Sequence, residues 1–202
     1  MTAEPHQFHQ FIRGSSLCAV YRIACLIVSC LLISDCFQPI FAHLPNDELI
    51  EENQVYRNDG QGNLLPYPAW QLNGTLSGRS MGMANLDCDG DLDVVVNNLR
   101  KPSQIWENQL CAGKALVVDL AWMDSANPQA IGSTVTLTTS AGRQVGPVQA
   151  TSGYLTGQSS QLHFGMTDDS TPQQIQIIWP NGATSTLLIS GNVEKIIVER
   201  LP

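Results

Sequence analysis

The chain has 202 residues, of which 18 are acidic, 10 are basic and 43% are hydrophobic, and its net charge is −8. A chain of this length and hydrophobicity can bury a core, which excludes an intrinsically disordered polymer. The acidic balance, without clusters of Lys and Arg, excludes a surface that binds nucleic acid.

Residues 1–42 are predicted to be a signal-peptide-like leader. Arg13 and Arg22 precede an apolar run from Ile23 to Ile33, which has the length of a signal-peptide core and is shorter than a membrane-spanning helix. A lipoprotein signal ending at Cys30 is one alternative, and an upstream segment without a targeting role is another. The leader predicts a secreted or cell-surface protein, or one in the periplasm or exterior of a bacterium.

Four of the six cysteines fall in this leader, so that only Cys88 and Cys111 remain downstream. In an exported protein this pair could form one disulfide, and two free thiols are equally open.

The chain from His43 onward predicts short strands and tight turns rather than amphipathic helices. Val94 to Val96 is a β-branched run, and Asn181-Gly182 is typical of a hairpin turn. Further strands are predicted at Ala115 to Trp122, Ser133 to Thr139, Gln174 to Trp179, Thr184 to Ile189 and Val193 to Val198. We expect an all-β protein in which residues 113–202 form a sandwich-like or barrel-like domain.

An aspartate-rich segment is the clearest chemical feature of the chain. Oxygen-bearing side chains occupy alternate positions, with Gly90 in their midst: Asn85, Asp87, Asp89, Asp91 and Asp93. Calcium prefers six to eight oxygen ligands, and glycine permits the sharp bend that lets alternate residues converge. We predict a calcium site in which Asp91 uses its backbone carbonyl and the other four use side-chain oxygens. Magnesium and zinc suit this donor set less well, and a solvated acidic turn is the structural alternative.

The segment differs from an EF-hand, because Val96 stands where that motif places a bidentate Glu and a strand follows. The block from Gly78 to Asn98 instead resembles an FG-GAP/VCBS repeat, a blade of integrin-like β-propellers. Trp106-Glu107-Asn108 is similar to the closing strand of such a repeat, and Tyr56 to Asn63 is similar to the end of the preceding one.

The C-terminal region resembles the ASPIC/UnbV domain, which follows such repeats in proteins related to cartilage acidic protein. The similar segments are Ala130 to Val135, Ser152 to Leu155, Leu162 to Gly165 and Ile178 to Gly182. The resemblance implies an extracellular location, calcium at the five positions above and no established catalysis. Asn85 departs from the Asp that is usual in the family, which should weaken the site.

Residues 43–112 supply only one blade and the tail of another, which cannot close a propeller. We therefore expect a fragment of a longer protein and a partial propeller with exposed strand edges. Such a half should have a partner, self-associate through the incomplete blade or be marginally stable.

The sequence thus predicts an exported, non-catalytic calcium-binding interaction or adhesion-type module, with a protein or glycan ligand at the cell exterior. The alternative is a hydrolase or carbohydrate-binding accessory domain that uses the C-terminal β-domain. In a hydrolase, His163 would act as a base with Ser152 and Asp168, but the Gly-x-Ser-x-Gly elbow is missing. We expect no enzyme, and we expect Trp122 and Trp179 to be core residues.

Overall fold

The structure is a computed structural model that describes residues 10–12, 44–45, 50–59, 61–87, 91–109, 114–151 and 156–201, the first of these as backbone. These ranges contain short strands and a 3-10 turn at Pro68–Trp70. The strands are β1 (Gln10–Ile12), β2 (Glu51–Glu52), β3 (Tyr56–Asn58), β4 (Leu64–Pro66), β5 (Thr75–Leu76), β6 (Gly78–Ala84), β7 (Asp93–Asn98), β8 (Lys101–Asn108), β9 (Lys114–Trp122), β10 (Thr134–Thr139), β11 (Gly142–Pro147), β12 (Leu162–Met166), β13 (Pro172–Ile178), β14 (Thr184–Leu188) and β15 (Lys195–Arg200).

The repeat half is built on a four-stranded sheet with the order β1-β8-β7-β6. Strands β6, β7 and β8 follow one another as antiparallel hairpins. Strand β1, from the segment predicted to be the leader, pairs in parallel with the edge of β8, where Gln10 lies opposite Trp106. Two small antiparallel sheets, β2-β5 and β3-β4, complete this half. The arrangement agrees with a partial propeller, because none of these sheets is closed.

A compact apolar cluster holds the repeat half together. Its buried members come from β7, β8, the segment around the 3-10 turn and the residue before β3: Val55, Trp70, Leu72, Val94, Val96 and Trp106. Trp106 has no exposed surface, and it lies opposite Val94 in the β7–β8 pair. At the periphery, Leu64 and Leu65 on β4 are 43% and 53% exposed, so part of the apolar surface of this half is not covered by the described residues.

The C-terminal half is a sandwich of two sheets, with the orders β11-β10-β13-β14 and β12-β9-β15. The sheets share one core, to which β9, β10, β12 and β13 contribute most: Leu116, Val118, Leu120, Ala130, Val135, Leu137, Val148, Phe164, Met166, Ile175, Ile177 and Trp179. The all-β prediction is confirmed, and the domain is a sandwich rather than a closed barrel. The last strand, β15, pairs in parallel with the first, β9, with Lys195 opposite Val117.

Strand β13 and the turn after it show how local sequence produces this half. Ile175, Ile177 and Trp179 alternate with exposed or half-buried residues, and each is no more than 2% exposed. Such alternation is expected of a strand with one face on a core. Gly182 adopts φ 83, which an L-residue with a Cβ rarely takes, and this closes the β13–β14 hairpin as predicted.

The two tryptophans predicted to be core residues lie at one end of the sandwich. Trp179 is buried and donates its indole N–H to Ser185 Oγ at 2.8 Å, while Trp122 packs against the same core. The guanidinium of Arg200 lies 4.6 Å from the Trp122 ring centroid and 5.2 Å from that of Trp179. It also donates to Asn181 Oδ1 at 3.0 Å, so the last strand is tied to the β13–β14 hairpin.

Two further predictions concern residues that the structure leaves largely undescribed. The apolar run of the predicted leader lies outside the described residues, and so do both downstream cysteines, Cys88 and Cys111. Within the ranges that are described, no helix has the length and hydrophobicity needed to cross a bilayer.

Candidate metal site

The aspartate-rich segment forms the connection between β6 and β7. Ala84, the last residue of β6, lies directly opposite Asp93, the first residue of β7, so residues 85–92 form a loop at one end of this hairpin. All five predicted ligands are therefore in this loop or at its final boundary. Residues 88–90, which include Asp89 and Gly90, lie outside the described part.

Asp93 is the structural anchor of the loop. Its side chain is 1% exposed, and its two carboxylate oxygens accept different backbone N–H groups. Oδ2 accepts from Leu86 at 2.8 Å, and Oδ1 accepts from Asn108, the last residue of β8, at 2.9 Å. Because an ionised acceptor strengthens a hydrogen bond, Asp93 ties the start of the loop to the end of β8. This role was not part of the sequence prediction, which treated Asp93 only as a ligand.

Both carboxylate oxygens of Asp91 are buried, and Asp91 takes part in an interaction within the chain. The contribution of its backbone carbonyl to a metal site stays a prediction.

The two remaining described ligands, Asn85 and Asp87, are exposed. Among the residues that the structure describes, no group of three or more His, Cys, Asp or Glu side chains is arranged to hold a metal ion. Asp87, Asp91 and Asp93 thus do not converge by themselves in this arrangement. Carboxylates at close range repel one another, so an approach of all of them requires a cation. The donor set, made of carboxylate and amide oxygens, fits calcium better than a softer metal.

The turn between β3 and β4 is stabilised by its own aspartate. Asp59 Oδ2 accepts from Asn63 Nδ2 at 2.8 Å, and Oδ1 accepts from the backbone of Gln61 at 2.7 Å. These hydrogen bonds, that of the Asn63 side chain first, hold the pKa of the Asp59 carboxyl below its usual value of 3.8. The carboxylate of Asp59 thus stabilises the turn in which it lies.

The segments that resemble the ASPIC/UnbV domain have structural positions where they are described. Ala130 and Ser133 have no exposed surface, and Phe164 is 4% exposed. The side chain of Asn127 makes two hydrogen bonds with the backbone of Ile131. Its Oδ1 accepts from the N–H of Ile131 at 2.9 Å, and its Nδ2 donates to the carbonyl at 2.8 Å. These residues form a turn and part of the core.

The residues of the hydrolase alternative are only partly described. His163 is half-buried in the middle of β12, opposite Val117, and Asp168 lies in the turn after that strand. The carbonyl of Asp168 accepts from Lys114 Nζ at 3.1 Å. Ser152, the third residue of this hypothesis, lies outside the described residues, so the hydrolase arrangement stays untested.

Comparison with known families agrees with both resemblances. Residues 40–96 match the model of the FG-GAP-like repeat, and this match includes the candidate loop and the first four residues of β7. Residues 123–196 match the model named ASPIC and UnbV, which covers most of the sandwich. None of the curated proteins matches the chain. The chain therefore carries an FG-GAP-like repeat followed by an ASPIC and UnbV domain.

Proposed function

We propose that this protein is an exported, non-catalytic calcium-binding interaction module. The observation that carries the proposal is the loop between β6 and β7, which concentrates acidic residues at one end of a hairpin. Asp93 anchors this loop, because it accepts from Leu86 at the start of the loop and from Asn108 at the end of β8. A loop of this kind gains stability when a cation neutralises its carboxylates. Calcium bound there would supply charge compensation and would cross-link the loop.

The ligands in this proposal are Asp87, Asp89 and Asp91, with Asn85 as a neutral donor and Asp93 at the loop boundary. Asp91 lies between Asp89 and Asp93 in the sequence and contributes its backbone carbonyl to the proposed site. Asp93 would share its carboxylate between calcium and the two backbone N–H groups, because each oxygen has a further lone pair.

A binding role without catalysis is supported by the positions of the residues that resemble the ASPIC/UnbV family. Where they are described, they fill the sandwich core or shape a turn. The leader-like segment favours export, and the ligand would be a protein or a glycan outside the cell. Strand β1 belongs to the leader-like segment, so removal of that segment on export would free the edge of β8, and the incomplete blade would self-associate there.

Isothermal titration of the full chain with calcium tests the proposal. We expect saturable binding that weakens by about tenfold or more in Asp89→Asn, because this change removes one anionic ligand. Asp168→Asn is the matched control, since Asp168 is an exposed aspartate in the sandwich and should leave the affinity unchanged. Absence of binding at millimolar calcium, or equal affinity in the two variants, would refute the calcium site.

A further inference from the structure

The sequence contains two Asn-Gly pairs, Asn73-Gly74 in the repeat half and Asn181-Gly182 in the sandwich. Asparagine is a chemically labile residue, and it is most prone to deamidation before glycine, which has no side chain to shield its backbone nitrogen. Asn73 and Asn181 are both exposed, so access of water does not distinguish them. A difference in reactivity between the two pairs must come from the hydrogen bonds that hold each of them.

Deamidation at such a pair begins when the backbone nitrogen of the glycine attacks the side-chain carbonyl carbon of the asparagine, Cγ. The nitrogen loses its proton and bonds to Cγ, while the C–N bond of the side-chain amide breaks and ammonia leaves. Water then opens the cyclic imide at one of its two carbonyls, which gives either aspartate or isoaspartate. The reaction therefore requires that the glycine nitrogen and Cγ can approach each other.

In the sandwich pair, hydrogen bonds hold both reacting groups. Gly182 donates its N–H to the carbonyl of Trp179 at 2.8 Å. Asn181 Oδ1 accepts from the backbone N–H of Ala183 at 3.2 Å and from the guanidinium of Arg200 at 3.0 Å. Hydrogen bonds to Oδ1 make Cγ more electrophilic, but attack still requires the nitrogen to leave the carbonyl of Trp179. The turn must open before the ring can form, so this pair is protected.

The pair in the repeat half has no such restraint on its reacting groups. Within the ranges that the structure describes, neither the side chain of Asn73 nor the N–H of Gly74 makes a hydrogen bond. The carbonyl of Gly74 is held instead, because it accepts from the N–H of Asn53 at 2.9 Å, and β5 begins at the next residue. The nitrogen of Gly74 is therefore available for attack although the chain beside it is paired.

We propose that Asn73 is a site of spontaneous deamidation in the folded protein, whereas Asn181 is protected. The modification is independent of the calcium site. Either product adds a negative charge, and isoaspartate also inserts an extra methylene group into the main chain directly before Gly74. Gly74 packs against the side-chain amide of Gln104 on β8 and precedes the β2–β5 pair. The inserted methylene should displace this packing and weaken the pairing of β2 with β5.

Peptide mass spectrometry of the full chain, incubated at mildly alkaline pH, measures the two reactions side by side. We expect the amide of Asn73 to be converted into an acid at least about tenfold faster than that of Asn181, because three hydrogen bonds must open at the latter. In concentrated urea the two rates should become similar, since both pairs then lie in an unfolded chain. Asn73→Gln is the matched control, which should abolish only the faster reaction, because the longer glutamine side chain cyclises slowly.

Equal rates at Asn73 and Asn181 in the folded chain, or a faster reaction at Asn181, would overturn the proposal. A folded chain in which neither asparagine reacts, while both react in urea, would overturn it as well. The structural consequence is tested by urea unfolding of the isoaspartate form after chromatographic separation. Asn73→Asp carries the same charge on a normal main chain, so equal unfolding midpoints of these two forms would show that the inserted methylene does not disturb β5.

Discussion

Replacing Asp93 by Ala should destabilise the repeat half even when calcium is absent. The change removes a buried carboxylate that accepts the backbone N–H groups of Leu86 and Asn108. A buried donor left without its acceptor costs about 1–3 kcal/mol. Leu86 is exposed, so water can reach its amide in the variant, whereas Asn108 is half-buried. We therefore expect the free energy of unfolding to fall by about 2–4 kcal/mol, near the lower half of the range for two such groups.

Urea unfolding of the full chain in excess chelator, followed by tryptophan fluorescence, measures this loss. Trp106 is a suitable reporter because it is buried on β8, two residues from Asn108. Asp87→Ala is the control, since Asp87 is an exposed acidic residue of the same loop and should change stability little under chelation. If Asp93→Ala unfolds like the wild type in chelator and differs only with calcium, then Asp93 is a ligand and not an anchor.

Three further predictions concern the repeat half. Trp106→Ala should lower its stability by about 3–5 kcal/mol while the sandwich unfolds as before, and a calorimetric scan in which both halves shift equally would contradict this. Gly74→Ala should cost about 1 kcal/mol in urea unfolding, because the new Cβ would collide with the side-chain amide of Gln104 and displace it; unchanged stability would contradict the close packing. By NMR, Asp59 should titrate below pH 3.8, and Asn63→Ala should raise its pKa. Because the folded pKa is depressed, the contribution of Asp59 to stability is present above the unfolded pKa and is lost as the pH falls through the folded pKa. An unshifted titration of Asp59 would contradict the turn geometry.

The local pattern of the sequence predicted β9, β10, β13, β14 and β15 of the sandwich, but it did not predict β11. At β13, the alternation of Ile175 and Ile177 is a property of adjacent residues, and the Gly182 turn follows from its own conformational freedom. The parallel pairing of β15 with β9 could not be predicted in this way. Strand pairing depends on which distant edge is available in the fold, and residues 195–200 contain no information about that edge by themselves.

The candidate site also has a part that follows from the local sequence and a part that depends on the pairing of strands. The spacing of oxygen-bearing residues from Asn85 to Asp93 predicted the loop, since ligands to one ion must alternate along a short segment. The bond from Asp93 to Asn108 spans 15 residues and exists only because the β7–β8 hairpin brings the two together.

The thermal unfolding of the full chain, with and without calcium, tests the central claim most directly. At calcium concentrations 100-fold above the dissociation constant, a single site adds about 2.7 kcal/mol, which corresponds to about 11–22 °C in the melting temperature of the repeat half. We predict this rise for the wild type and its loss in Asp89→Ala, with both proteins melting alike in chelator. No rise in the wild type, or an equal rise in Asp89→Ala, would contradict a calcium site in the loop between β6 and β7.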